Sequence, residues 1–85
     1  MNVFKLKIST PDGDIFAEDA VKLDVRGLEG ELAVMAGHVP FVTALKPCDC
    51  RILLPNGDER VVKVEGGLLA VGEEVTLLAS KFKWK

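Results

Sequence analysis

The chain has 85 residues, 48% of them hydrophobic and 28% charged, with a formal net charge of −2. That size fits one domain and excludes a multidomain architecture. The apolar fraction excludes a disordered chain, and the near-neutral charge gives no global field toward nucleic acid or an anionic membrane surface.

The opening residues Met1-Asn2-Val3-Phe4-Lys5 lack the basic segment and apolar run of a signal peptide. No apolar stretch approaches the ~18 residues of a spanning helix. The expectation is a soluble protein working where it is made, in the cytoplasm, with any membrane link supplied by a partner. Phe4, Leu6 and Ile8 alternate with Lys5 and Lys7, the period of a strand with one buried face. Pro11-Asp12-Gly13-Asp14 is a turn, because proline presets its own φ and glycine accepts a positive one. Ile15 and Phe16 begin a short return strand. Val21, Leu23 and Val25 alternate with Lys22, Asp24 and Arg26, and Leu32 and Val34 share one face of a short strand after Gly30.

The segment 27–47 carries more chemical detail than a strand connection needs. Glu29-Gly30-Glu31 forms an acidic turn, and Gly37-His38-Val39-Pro40 opens the apolar run Phe41-Val42-Thr43-Ala44-Leu45. That run comes nearest to a helix, but Pro40 and Pro47 bracket it too tightly. Cys48, Cys50, Ile52 and Leu54 form one face of the next strand. Asn56-Gly57 predicts a type I′ hairpin turn, with Val62 and Val64 on the return strand. Gly66-Gly67 marks a bulge or kink, and residues 68–71 and 75–79 form a last hairpin. No segment has a capped helical stripe. Many short strands with turn residues between them predict an all-β fold, a β-sandwich or small barrel.

Candidate chemistry is sparse. His38 is the only histidine; Thr43, Ser9 and Ser80 are the hydroxyls a nucleophile–base pair would have to recruit. No nucleophile elbow, phosphate-binding loop or dinucleotide fingerprint is present. Glu29 and Glu31 read as solvated turn charges rather than an acid–base pair, and His38 as a turn residue bonded to backbone. Cys48 and Cys50 are too few for a disulfide framework, and zinc needs further ligands. Two small apolar or half-buried residues is the preferred reading. These observations predict no catalytic residue, no cofactor and no metal.

An ordered set of motifs points to a family. Lys5-Leu6-Lys7-Ile8-Ser9-Thr10-Pro11-Asp12-Gly13 with Phe16, Glu29-Gly30-Glu31-Leu32, Gly37-His38-Val39-Pro40, Thr43-Ala44-Leu45-Lys46-Pro47, Arg51-Ile52, Gly66-Gly67-Leu68-Leu69 and Val75-Thr76-Leu77-Leu78-Ala79 together resemble the N-terminal domain of epsilon subunits of F-type ATP synthases. The resemblance is collinear over roughly residues 3–80. It implies a flattened β-sandwich of about ten short strands, and a non-catalytic rotor subunit that clamps the gamma subunit, sits on the c ring and couples ion flow to ATP synthesis. Membrane contact would come only through that complex, at the cytoplasmic face of the inner (plasma) membrane. Glu29, Gly30 and Glu31 match the turn that meets the c ring. His38, Val39, Phe41, Val42 and Thr43 match the segment facing gamma; the alternative is that Phe41 and Val42 fill the core, and for Phe41 the two readings weigh about equally. A free-standing β-sandwich module binding a different partner is the alternative.

The sequence departs from the family at several points. Arg26 stands where proline is usual, Cys48 where glycine is, and Glu65 where a small residue is. Family members usually continue into a helical hairpin that inhibits ATP hydrolysis and, in some, helps to bind ATP. With Lys85 as the last residue, the expectation is a polypeptide without either property. The tail Lys81-Phe82-Lys83-Trp84-Lys85 has no match in the family pattern; its alternation suggests an edge strand or a frayed end, with a contact toward the membrane or gamma as the sharper alternative.

Overall fold

The computed structural model describes residues 2–85. They form ten strands and no helix: β1 (Phe4–Thr10), β2 (Gly13–Ala20), β3 (Lys22–Gly27), β4 (Gly30–Met35), β5 (Phe41–Leu45), β6 (Cys48–Leu53), β7 (Glu59–Val64), β8 (Gly67–Val71), β9 (Val75–Leu78) and β10 (Phe82–Trp84). The hydrogen-bonded order is β10-β7-β6-β3-β5-β8-β9-β1-β2, with β4 on the free side of β3. Within this order β1 and β9 run parallel, pairing Leu6 with Val75 and Ile8 with Leu77.

The path is continuous but curls into two half-sheets. β3 and β5 are joined only at Gly27 opposite Leu45, beside a bond from the Lys46 amide to the Arg26 carbonyl (3.0 Å). The two ends of the strand order then meet. Phe16 on β2 and Trp84 on β10 lie 6.2 Å apart between ring centroids, and the Arg60 guanidinium stacks 4.0 Å over the Trp84 ring. Between the half-sheets lies one core, with Leu6, Ile8, Leu23, Ile52, Leu69 and Leu77 fully buried. The alternation in β1, β3, β6 and β7 therefore has the predicted meaning: one face covered, one wet.

Several local expectations change in the structure. β2 is eight residues long rather than a brief return strand. It pairs along the whole of β1, and only Ile15, Phe16 and Ala20 carry its burial; an edge strand keeps its length through backbone bonds even where Glu18 and Asp19 face water. A register shift at Ile8/Ser9 accommodates the extra residue Ile15. The turn after β6 is not type I′, because among its residues only Gly57 has positive φ. The Gly57 amide bonds the Leu54 carbonyl (3.0 Å) and the Leu54 amide bonds the Asp58 carbonyl (2.8 Å). Pro55 fits the first central position of a type I turn, and the left-handed residue moves one place on, to Gly57 (φ 92°). Asn56 instead holds the turn with its side chain, accepting from the Asp58 amide at 2.9 Å.

Gly66-Gly67 is where the chain passes from one half-sheet to the other. Gly66 has φ 112°. At Gly67 a Cβ would collide with the Leu78 carbonyl oxygen on β9, so the backbones of β8 and β9 approach too closely there for any side chain. The tail is an ordered edge strand: Phe82, Lys83 and Trp84 pair with Val64, Lys63 and Val62. Lys85 donates its backbone amide to Val61 (2.9 Å) and its Nζ to Asp49 (2.8 Å).

Two predictions follow from these contacts. Gly67→Ala costs about 3 kcal/mol or more in urea unfolding, whereas Gly57→Ala, strained in φ but facing open space, costs about 1 kcal/mol; equal costs would contradict the close approach. The hydrogen bond from Lys85 holds the Asp49 carboxyl below its ordinary value of 3.8. A lowered folded value means that this anchor is fully present above pH ~4 and is lost as pH falls through the folded value. Amide exchange in β10 accelerates on that acid side in the native chain, and Lys85→Met abolishes the acid-dependent increment; unchanged acid dependence in the variant would refute the anchor.

Candidate functional site

The acidic turn is the tip of the β3–β4 hairpin. Gly27 pairs with Gly30, so Leu28 and Glu29 alone form the tip. Gly30 has φ 127°, which is what allows two tip residues to reverse the chain. Glu31, the first side chain after it, lies in register with Arg26 and meets its guanidinium at 3.3 Å. Both side chains are well exposed, so the pair contributes at most about 1 kcal/mol. Glu29 and Leu28 project into solvent.

His38 closes a turn with the Met35 carbonyl (3.2 Å), and Gly37 takes the left-handed position at φ 83°. Its Nδ1 lies 2.9 Å from the Val39 carbonyl. A carbonyl only accepts, so Nδ1 is the donor in that contact. The ring also rests 5.0 Å from Phe41, tilted by 51°. Thr43 turns its hydroxyl to the Ala44 carbonyl (3.3 Å), so it and His38 each bond a neighbouring carbonyl rather than each other.

β5 separates its apolar residues by face. Phe41 and Leu45 point inward; Phe41 is half-buried against the core. Val42 is 66% exposed, which removes the core reading for that residue. Its face continues across the sheet. Val42 pairs with Ala70 and Ala44 with Leu68, and Leu68 pairs with Leu78. Leu68 and Leu78 remain 40% and 45% exposed. A groove of about 590 Å³ runs beside them under Gly66-Gly67 and Pro11. Val39, at the entry to β5, is 73% exposed. This outer sheet face is therefore a candidate contact surface.

The resemblance singled out Val39 and Val42, which the structure leaves exposed, but no sequence signal singled out Leu68 and Leu78, which are exposed as well. In the run Leu68-Leu69-Ala70-Val71, both faces are apolar, so periodicity gives no direction; only the inward burial of Leu69 and Val71 identifies the outward pair. The structure also joins the two motifs. Glu29, Gly30 and Glu31 line the same cleft as Phe41, Val42 and Thr43, with a volume of about 450 Å³, because β3 and β5 meet at Gly27. His38 and Val39 lie outside that cleft.

Comparison with known proteins gives this arrangement a lineage. Residues 3–85 match the family model described as ATP synthase, Delta/Epsilon chain, beta-sandwich domain; the match takes in the tail 81–85, which therefore belongs to the domain. The ATP synthase epsilon chain of Psychrobacter sp. (strain PRwf-1) is 39% identical over 80 residues, covering 93% of this chain and 58% of the relative. The ATP synthase epsilon chain of Bacillus pumilus (strain SAFR-032) is 41% identical over 80 residues, covering 93% and 60%. The chain thus spans well under two thirds of these relatives. Among solved structures, a chain of the Euglena gracilis mitochondrial ATP synthase (OSCP/F1/c-ring) superposes with a TM-score of 0.91 at 24% identity, over 96% of this chain and 53% of that one. A chain of the Tetrahymena thermophila mitochondrial ATP synthase central stalk/c-ring gives 0.77 at 13% identity, over 94% and 65%. These two likenesses concern the fold. The family model, matching nearly the whole chain, carries the assignment: this chain belongs to the β-sandwich-domain family of ATP synthase delta/epsilon chains.

Proposed function

We propose that the chain is a non-catalytic subunit of the central stalk of an F-type ATP synthase. In this reading it joins the gamma subunit to the c ring and helps to couple ion translocation to ATP synthesis, as a peripheral part of a membrane-bound complex at its cytoplasmic face. The observation that carries the reading is the outward apolar face of β5, β8 and β9 in a protein of this family. A torque-transmitting part needs a stiff body and a fixed seat, and a close-packed sandwich supplies the first. Val42, Leu68 and Leu78 supply the second, with Val39 and Phe41 at its border and His38 and Thr43 as polar groups on the rim. Gamma is the partner assigned to this face.

The hairpin tip Glu29-Gly30-Glu31 is assigned to the polar loops of the c ring. Glu29 at the tip projects into solvent, and Glu31, the first side chain of β4, is exposed beside Arg26, so each carboxylate can accept charge-assisted hydrogen bonds from basic or polar groups. The tip's shared cleft with Phe41, Val42 and Thr43 places the two contact surfaces side by side, so one rigid edge of the sandwich spans from rotor shaft to ring.

A pull-down from native membranes tests the assignment: recovery of gamma with the c ring supports it, and a stable complex containing neither overturns it. Within that complex, Val42→Asp or Leu68→Asp weakens gamma binding by about 2 kcal/mol or more while the strand content is retained, since both side chains point out of the core. Glu31→Lys leaves gamma binding within about 0.5 kcal/mol of the native value and lowers ATP-driven ion pumping in reconstituted vesicles. Full binding and pumping in all three variants would contradict the surface assignment.

A further inference from the structure

The cysteine pair is not used by the reading above and is independent of it. Cys48 and Cys50 lie on one face of β6, opposite Val64 and Val62 of β7. Their sulfurs are 4.0 Å apart; Cys50 is buried and Cys48 half-buried. Cys48 borders a cavity of about 630 Å³, which it shares with Val25, Arg26, Leu32 and Arg51. The cavity has a structural origin. β6 pairs with β3 only from Lys22 to Asp24 and β5 joins β3 only at Gly27, so the strands part beside the first residues of β6. One sulfur therefore has an approach from solvent, and the second lies directly behind it.

The sulfur separation distinguishes two chemistries. A disulfide needs sulfurs at about 2.05 Å and α-carbons no more than about 6.8 Å apart. Residues i and i+2 of a strand sit about 6.7 Å apart, at the far edge of that range, and the sulfurs would have to close from 4.0 Å to about 2.05 Å. A single metal ion needs far less movement. At a metal–sulfur bond of about 2.3 Å, two sulfurs on one ion are about 3.8 Å apart in tetrahedral geometry and about 4.6 Å apart when opposed. The observed separation lies between these limits. Among the described residues no cluster of three or more His, Cys, Asp and Glu side chains is arranged to hold a metal. Zinc, which takes four protein ligands in structural sites, is therefore poorly served. Soft thiolates with no further donor select copper(I).

We propose that Cys48 and Cys50 form a two-thiolate site for one soft monovalent cation of the copper(I) type. Binding breaks two S–H bonds, releases both protons to solvent and forms two metal–sulfur bonds, with no change of oxidation state. Burial raises the Cys50 thiol above the usual cysteine range, with further contributions from Cys48.

The probe is copper(I) presented to the 85-residue chain against the chelator bicinchoninate. The expected result is uptake of one ion per chain, a rise in the thermal unfolding midpoint, and loss of both effects in Cys48→Ser and in Cys50→Ala. Uptake retained in either single variant, two ions per chain, or no uptake against the chelator would each overturn the site. Cys48→Ser alters only a half-buried side chain, so the test does not depend on the buried position alone. X-ray absorption of the native complex supplies a measurement without mutation: two sulfur neighbours support the site, and a copper shell with one sulfur or none overturns it.

Discussion

Two half-sheets in this molecule have to share one core, and they are joined at a single seam where Gly27 meets Leu45. Neither half could keep its inner face dry alone, since Leu23, Ile52 and Val62 of one and Leu6, Leu69 and Leu77 of the other cover one another. Burial of these side chains is the dominant favourable contribution. The backbone features follow from that requirement. Gly67 brings β8 against β9 without a side chain between them, and Gly66 lets the chain cross between halves. At the far end of the strand order, Trp84 closes the sandwich onto Phe16 under the Arg60 guanidinium. The C-terminal strand thus helps to close the core as well as covering the edge of β7.

The same construction explains why the surface is uneven. Strands β3, β6 and β7 place charged residues outward and form ion pairs such as Arg51–Glu59 (3.2 Å). Strands β5, β8 and β9 carry apolar groups on both faces. Once their inner faces are committed to the core, Val42, Leu68 and Leu78 have nowhere to go but the outer one. A single exposed leucine would mean little. Three outward side chains on strands paired across the sheet form a surface. The acidic hairpin tip stands at the border of this surface because the seam at Gly27 draws β3 and β5 together.

Much of the fold was legible in the residues. Phe4, Leu6 and Ile8, or Val62 and Val64, announce their strands by period and their buried face by chemistry. The turns after β1 and β6 were legible in position, although Pro55 shifted the second from the expected geometry by fixing its own φ. Other features had no local signal. Nothing in the composition of residues 13–20 says that β2 extends through Glu18 and Asp19; pairing with β1 decides it. Phe41 and Val42 are neighbours of similar hydrophobicity, and opposite sides of a strand give them opposite fates.

Local rules make the chain legible as all-β, place most of its strands and turns, and through an ordered set of motifs point to the family it resembles. Those rules are the two-residue period of a strand and the φ demands of proline and glycine. Only the tertiary structure decided strand order, the parallel pairing of β1 with β9, the apolar outer face, the cleft shared by Glu29–Glu31 and Phe41–Thr43, and the separation of the Cys48 and Cys50 sulfurs. Alternation gives each strand two faces, but which face is covered depends on residues far away in the chain, and that is settled when the two half-sheets close over one core.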